Sequence, residues 1–304
     1  MTGHLVALDV GGTAMKGGVI SADGSVLLSE SRPTGREHGP DAVVENILGF
    51  AAHLAGAAGP VVAAGIALPG IVDDASGTAV LSAHIGWRDV PFRDLAVKRL
   101  GVPVAVAHDV RTGGLGEAVR GAGRGSRDFL FVPIGTGIAA ALMINNAPYP
   151  GATGWSGELG HIVVRPGGEP CPCGNRGCLE PYAAASAIPR RYAALAGLRA
   201  SPRAEEVVRL AQAGDPVAAK VWDEAVAALA DALANVTMLL DPSQIVIGGG
   251  LSGAGTPLFD PLAERLKERL PLRPPPPLTR ARLGTQAAMH GAAELARRAL
   301  KAAE

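Results

Sequence analysis

Gly157-Glu-Leu-Gly-His161 and, nine residues further on, Cys171-Pro-Cys173-Gly-Asn-Arg-Gly-Cys178-Leu-Glu180 make up the stretch from which the rest of the chain is read. All three cysteines of the protein lie in it, at 171, 173 and 178, with His161 just upstream. One imidazole and three thiolates form a complete tetrahedral donor set for Zn²⁺. A closed four-ligand set leaves no position for water, so such a zinc is structural. Pro172, Gly174 and Gly177 supply the turns that let a short loop fold back on itself. Scattered cysteines read as small core residues. Three of them clustered beside a His in a Gly/Pro-rich loop read as metal ligands. An odd cysteine count, in a chain with no other mark of secretion, speaks against a disulfide.

Composition narrows the classes. The chain has 304 residues, 48% of them hydrophobic and 18% charged, which predicts a globular protein with room for two domains. Lys plus Arg and Asp plus Glu each number 28, so the formal net charge is zero. That balance lacks the basic excess of a nucleic-acid-binding domain. No apolar run approaches the length of a membrane span, and the sequence enters a strand at Leu5 with no leader ahead of it. With cysteines used as metal ligands, the expectation is a cytoplasmic protein without membrane or nucleic-acid partners.

Two glycine-bearing bends flank apolar runs. Residues 4–9 are apolar and end on Asp9; Val10, Gly11, Gly12 and Thr13 follow, then a second strand around 17–20, the turn Asp23-Gly24 and a strand over 26–30. Glycines in such a bend let backbone N–H groups approach a phosphate, and Thr13 adds a hydroxyl. Residues 129–144 repeat the layout: an apolar strand, Gly135-Thr136-Gly137, a second strand over 138–144 and the turn Asn145-Asn146. The repetition predicts a duplicated domain.

Between these bends, helical periodicity covers 41–59, a strand covers 61–68 and ends in Pro69-Gly70, and a short helix covers 92–100. The apolar run 102–107 predicts a parallel strand that delivers His108 and Asp109 at its C-terminal end, where open α/β sheets place their sites. A carboxylate there either caps the next helix or acts as a base. Beyond Glu180 the chain is helical over 183–196, with Pro189 expected to break it, and over 202–213 and 217–240. A strand over 244–247 runs into Gly248-Gly249-Gly250, where backbone can lie flat against a planar ligand. A helix over 261–270, a proline-dense connector, a strand over 278–283 and a last helix over 287–302 complete the chain.

Taken together, the Gly-Glu-x-Gly-His and Cys-x-Cys-Gly-x-x-Gly-Cys-x-Glu patterns and the two Gly-Thr hairpins resemble the ROK family of sugar kinases. The resemblance covers nearly the whole chain. It implies two α/β domains of ribonuclease-H-like topology, of the actin and hexokinase superfamily, around a cleft. The first would span 1–112, joined by the helix 287–304; the second would span 113–286 and carry the zinc motif 161–178. It implies ATP and Mg²⁺ as cofactors beside structural Zn²⁺, with Asp9, Gly11, Gly12, Thr13, Gly135, Thr136 and Gly137 around the phosphates and Mg²⁺, and Gly249 and Gly250 at the adenosine. Asp109 is implied as the general base for a sugar 6-hydroxyl. Gly70, His84, His108, Glu158, His161 and Glu180 are implied as sugar contacts, and a homo-dimer or tetramer as the assembly.

Three departures from the family pattern stand out. His84 and His108 occupy positions where the family carries Asn, and Ala139 and Ala140 stand where it carries further glycines. Two changed hydroxyl readers lean the expected substrate to N-acetylglucosamine, with glucose as the alternative. A non-catalytic sugar sensor is the alternative of another class. A sugar-responsive repressor would need a DNA-binding domain ahead of the first hairpin.

Overall fold

The computed structural model describes residues 3–57 and 59–304. In chain order, strands β1 (His4–Val10), β2 (Ala14–Ile20) and β3 (Val26–Pro33) precede helix α1 (Pro40–Ala57) and strand β4 (Val61–Leu68). Short strands β5 (Ile71–Asp73), β6 (Thr78–Leu81) and β7 (Arg88–Val90) lead to α2 (Phe92–Leu100), β8 (Val104–His108) and α3 (Asp109–Arg120). Next come β9 (Phe129–Pro133), β10 (Ala141–Ile144) and β11 (Ala147–Pro148), then α4 (Glu180–Ala183), α5 (Ala187–Leu195), α6 (Ala204–Gln212) and α7 (Pro216–Leu240). The chain closes with β12 (Ile245–Gly248), α8 (Thr256–Arg269), β13 (Leu278–Arg280) and α9 (Ala287–Ala303). Ala58, within the helix expected over 41–59, lies outside the described residues.

The chain divides into two compact units. One comprises Met1–Gly125, Ala141–Ser156 and Thr285–Glu304; the other comprises Ser126–Ala140 and Gly157–Gly284. The second unit therefore starts at Ser126 and not at 113, and α3 belongs with the first. The reason is a close crossing of α3 and α9. A Cβ on Gly116 would lie 2.0 Å from the Ala287 carbonyl oxygen, and one on Gly291 would lie 1.8 Å from that of Thr112.

In the first unit the strand order is β3-β2-β1-β4-β8, with β1, β2 and β3 antiparallel and β4 and β8 parallel to β1. This is the ribonuclease-H-like arrangement. The side-chain period of two along β1 explains its two covered faces. Val6, Leu8 and Val10 join one core cluster with Val43, Ile47 and Leu54 of α1. Leu5 and Ala7 join another with Met289, Ala292 and Ala296 of α9. A Cβ on Gly65 of β4 would meet the Ala292 carbonyl oxygen at 1.9 Å, so α9 lies directly on the sheet backbone. Gly291→Ala should therefore destabilise this unit by at least about 2 kcal/mol, because no neighbouring side chain can yield where the clash is with backbone. A thermal melt that matches wild type would contradict the crossing.

In the second unit β12 lies between β9 and β13 and is parallel to both. Asp215 caps α7, its Oδ1 accepting from the N–H groups of Val217 and Ala218 at 2.9 and 2.8 Å. Two proline expectations fail, each for a stated reason. Pro189 does not break its helix: it sits in the first turn of α5, where its missing N–H is not needed. The break falls at 184–186, where Ala185 N donates to Gly135 O at 2.9 Å and the Ser186 hydroxyl to Thr136 O. Pro261 does not start α8 but lies inside it. The carbonyl of Pro257 that its N–H would have reached accepts from Trp222 Nε1 at 3.1 Å instead. Among the described residues no helix is long and apolar enough to cross a membrane.

Candidate active site and metal centre

His161 and the three cysteines come together from a loop with almost no regular structure. Cys171 N donates to Asn175 O at 2.9 Å, Gly174 N to Cys171 O at 3.0 Å and Gly177 N to Glu169 O at 2.8 Å, which folds the cysteine segment into a tight hairpin. Gly177 has φ +80°, and a Cβ there would fall 1.6 Å from Arg165 O, so only glycine fits. The ligand atoms of His161, Cys171, Cys173 and Cys178 all lie within 4.8 Å of one another. Cys173 Sγ and Cys178 Sγ are 3.8 Å apart, and Cys171 Sγ is 3.5 Å from His161 Nδ1. A tetrahedron with Zn–S of about 2.3 Å and Zn–N of about 2.05 Å has edges of about 3.75 and 3.55 Å. The four residues thus fit zinc in donor type and spacing. Burial pushes the Cys178 thiol up to about 12, so this thiol stays protonated unless a cation compensates the thiolate.

The same fold orients the polar groups around the loop. His161 turns Nδ1 to the sulfurs, and its Nε2 lies 3.8 Å from Glu158 Oε2. Glu180 opens α4, and its Oε2 accepts from Ile138 N at 2.9 Å. One carboxylate oxygen therefore braces the Gly135–Gly137 turn. Gly135 N donates to Gly137 O at 3.0 Å and closes the turn, and nothing lies within 4 Å of a Cβ built on Gly135. Thr136 is exposed at its tip. Ala140 is buried, and its N donates to Gly157 O at 2.7 Å. A Cβ on Gly157 would lie 1.9 Å from Ala140 O. Ala140 thus belongs to the wall that positions Glu158. Gly249 has φ +73° and packs on Ile134, where a Cβ would fall 2.3 Å from Ile134 O, while Gly250 is open on its Cβ side.

In the first unit β8 delivers His108 and Asp109 to the start of α3. The carboxylate is not the cap of this helix: α3 begins at Asp109 itself, ahead of the expected start near 112, and the cap is His108, whose Nδ1 accepts from Arg111 N at 3.5 Å. That contact leaves the ring hydrogen on Nε2, which lies 3.2 Å from Asp109 Oδ1. Burial pushes His108 down to about 3, so the ring is neutral. With Nδ1 and Nε2 both engaged, His108 is a brace for Asp109. Asp109 Oδ1 also accepts from Val110 N at 2.7 Å, so both of these contacts fall on one carboxylate oxygen. Burial pushes Asp109 up to about 6, against the lowering effects of the Val110 N–H and the Arg111 charge. Asp9, at the end of β1, is also raised to about 6, by burial first and the Asp109 charge second, with Lys16 opposing.

Two supporting residues carry no sequence signal. Arg111 is 1% exposed; it pairs with Asp74 at 2.9 Å and donates to Val72 O and Gly154 O, each at 3.0 Å. It thereby ties the Gly/Pro-rich loop at 150–156 to the helix that carries Asp109. Thr34 donates from Oγ1 to Gly11 O at 2.6 Å and from N to Thr13 O at 3.0 Å, which fixes the first glycine bend from outside. A Cβ on Gly12 would have no neighbour within 4 Å, so that face of the bend is open. Gly70 has φ +94°, and a Cβ there would meet Leu81 O at 2.3 Å, so its turn demands glycine irrespective of any ligand. His84 is exposed between β6 and β7, while Trp87 beside it is buried edge-on against Phe92 at 5.1 Å.

The chain belongs to the ROK family, whose model matches residues 5–299. It is 33% identical over 314 aligned residues to the glucokinase of Streptomyces coelicolor, covering 97% of this chain and 98% of that one. Among solved structures it is similar to the ROK hexokinase of Thermus thermophilus, with 33% identity, a TM-score of 0.87, and coverage of 98% of this chain and 99% of the other. It is also similar to a ROK family glucokinase from Streptomyces griseus in complex with glucose and AMPPNP. There the identity is 32%, the TM-score 0.82, and the coverage 97% and 100%.

Proposed function

We propose that this protein is an ATP-dependent hexose kinase that phosphorylates the 6-hydroxyl of glucose. The observation that carries the reading is Asp109: a carboxylate at the C-terminal end of a parallel strand, braced on one oxygen and open on the other. A sugar hydroxyl is a poor nucleophile, and phosphoryl transfer needs it oriented in line and relieved of its proton. Oδ2 of Asp109 accepts that proton. Glu158, His161 Nε2 and Glu180, in the second unit, offer hydrogen-bond partners for sugar hydroxyls, and the zinc ligand set would fix the loop that bears them. Each glycine bend, Gly11–Thr13 in the first unit and Gly135–Gly137 in the second, would offer backbone N–H groups to phosphate. Asp9 would help hold Mg²⁺, and Gly249 and Gly250 would border the adenosine.

Relatives named glucokinase that align over nearly the full chain support glucose. The lean to N-acetylglucosamine rests on His84 and His108. With both nitrogens of His108 engaged within its own unit, only the exposed His84 still speaks for it. Comparing kcat/KM for the two sugars decides: glucose should be preferred, and turnover of N-acetylglucosamine alone would overturn the choice.

The proposal has a pH signature. A base at about 6 is protonated below that value, so kcat/KM should fall at least about tenfold per pH unit below 6, more steeply where Asp9, also raised to about 6, protonates with it, and level off above it. His108, held near 3, adds no limb of its own above pH 5. A rate flat from pH 5 to 8 would remove Asp109 from the role of base.

A further inference from the structure

A cavity of about 420 Å³ opens in the second unit behind the cysteine hairpin, lined among others by Arg165, Glu169, Arg176, Tyr182, Arg191 and Glu224. Its volume is at the small end for a specific small-molecule site. Arg191 rises from α5 into this space with its side chain 10% exposed. The guanidinium lies over the Tyr182 ring at 4.8 Å, pairs through Nη2 with Glu224, and has Nε 3.8 Å from Glu169. Its Nη1 is buried and has no hydrogen-bond partner. A buried cationic donor without an acceptor is costly, and native proteins rarely carry one unless an ion, water or ligand supplies the missing atom.

A second donor points to the same need. The Tyr182 hydroxyl oxygen accepts from Glu169 N at 2.8 Å, which leaves its hydrogen to donate. Arg176, exposed on the hairpin, makes only a long contact to Gly167 O at 3.4 Å. Arg165 is held at the rim by Asp231. The lining therefore offers arginine and phenolic donors for an oxyanion and, in Glu169 and Glu224, two carboxylates that accept from hydroxyls. A bare anion would leave the carboxylates opposed to it, and a neutral sugar could meet Arg191 Nη1 with a hydroxyl oxygen but would bring no charge to Arg176, whose guanidinium reaches only the Gly167 carbonyl. A small phosphorylated polyol satisfies both, since arginine forks match phosphate oxygens.

We propose that this cavity is a second ligand site, distinct from the residues assigned to phosphoryl transfer, which takes a sugar phosphate with the phosphate on Arg176, Tyr182 and Arg191, whose buried Nη1 turns to meet it, and the hydroxyls on Glu169 and Glu224. The site stands on the Arg191 geometry and does not require the kinase reading. One wall of it is the hairpin whose Pro170 and Arg176 pair in an antiparallel bridge around Cys171 and Cys173. An occupant thus joins α5 and α7 to the zinc loop and stiffens it.

Thermal-shift titrations of the zinc-loaded protein test the site. Glucose 6-phosphate, inorganic phosphate and glucose would each be titrated in the presence of saturating Mg²⁺, AMPPNP and glucose. Glucose 6-phosphate should raise the melting temperature of wild type in a saturable way, inorganic phosphate should do so only at much higher concentration, and additional glucose should do nothing. Arg176→Glu, at an exposed position, and Arg191→Lys should each weaken the glucose 6-phosphate effect at least tenfold, with zinc content unchanged. If inorganic phosphate matches the ester, the carboxylates play no part and the polyol assignment falls. If both variants respond like wild type, or wild type does not respond, the site is refuted.

Discussion

Asp109→Asn should reduce kcat by about 10²–10⁴-fold while leaving the KM for sugar within a few-fold of wild type. The amide keeps the shape of the carboxylate and can still bond a hydroxyl, but it cannot accept the proton. The variant should also be more stable at neutral pH. The Asp109 pKa is raised from its unfolded value to about 6. For an acid, that sign means the charged form is penalised by folding, so the cost is absent below the unfolded pKa and complete above about 6. The neutral amide removes it. The gain in melting temperature should therefore be present at pH 7–8 and vanish toward pH 4. A variant that loses activity and is equally destabilised at every pH would point to a folding role. The exchange of stability for a poised carboxylate is what an active site is expected to show.

Cys178→Ala, or prolonged chelation of the metal, should cost nearly as much activity by another route. Cys178 is fully buried, and the hairpin from Cys171 to Gly177 is held by a few backbone bonds with no core of its own. Structural zinc sites contribute folding free energy directly. Without the metal, His161 and the Glu158 beside it lose their fixed positions, and Glu180 follows two residues after Cys178. The expected result is a sugar KM raised by at least about tenfold and a lower melting temperature, with ATP binding at the first glycine bend retained, because metal-site neighbours position ligands without entering the reaction. Atomic absorption should find one zinc per chain. Zinc-free protein with a wild-type sugar KM would remove the loop from the sugar site.

The sequence is most legible where chemistry is local. Three cysteines and a histidine can be read as one ligand set because they lie within one short loop, and the distances agree. Strand β4 and helix α2 fall where periodicity places them. Legibility fails where a partner comes from elsewhere in the chain. Pro261 looks like a helix start until Trp222 is seen to occupy the carbonyl it leaves free. Arg111 reads as a surface arginine in a helix, yet its partners at 72, 74 and 154 bury it. A boundary after 112 looks natural because a helix begins nearby; it moves because Gly116 and Gly291 let α3 and α9 touch. His108 is the instructive case. Its position predicts a sugar reader, whereas its two nitrogens cap a helix and brace the neighbouring carboxylate. Sequence shows which residue is at hand but not which of its atoms are already in use.

The most direct test of the central claim is ADP release by the zinc-loaded protein with Mg²⁺–ATP and a panel of glucose, N-acetylglucosamine, N-acetylmannosamine, mannose and fructose, run in parallel for wild type and Asp109→Asn. Robust sugar-dependent ADP release, greatest with glucose and lost in the variant, is the result predicted here. No sugar-dependent release from a folded, zinc-bound protein, or equal release by the variant and wild type, would contradict it.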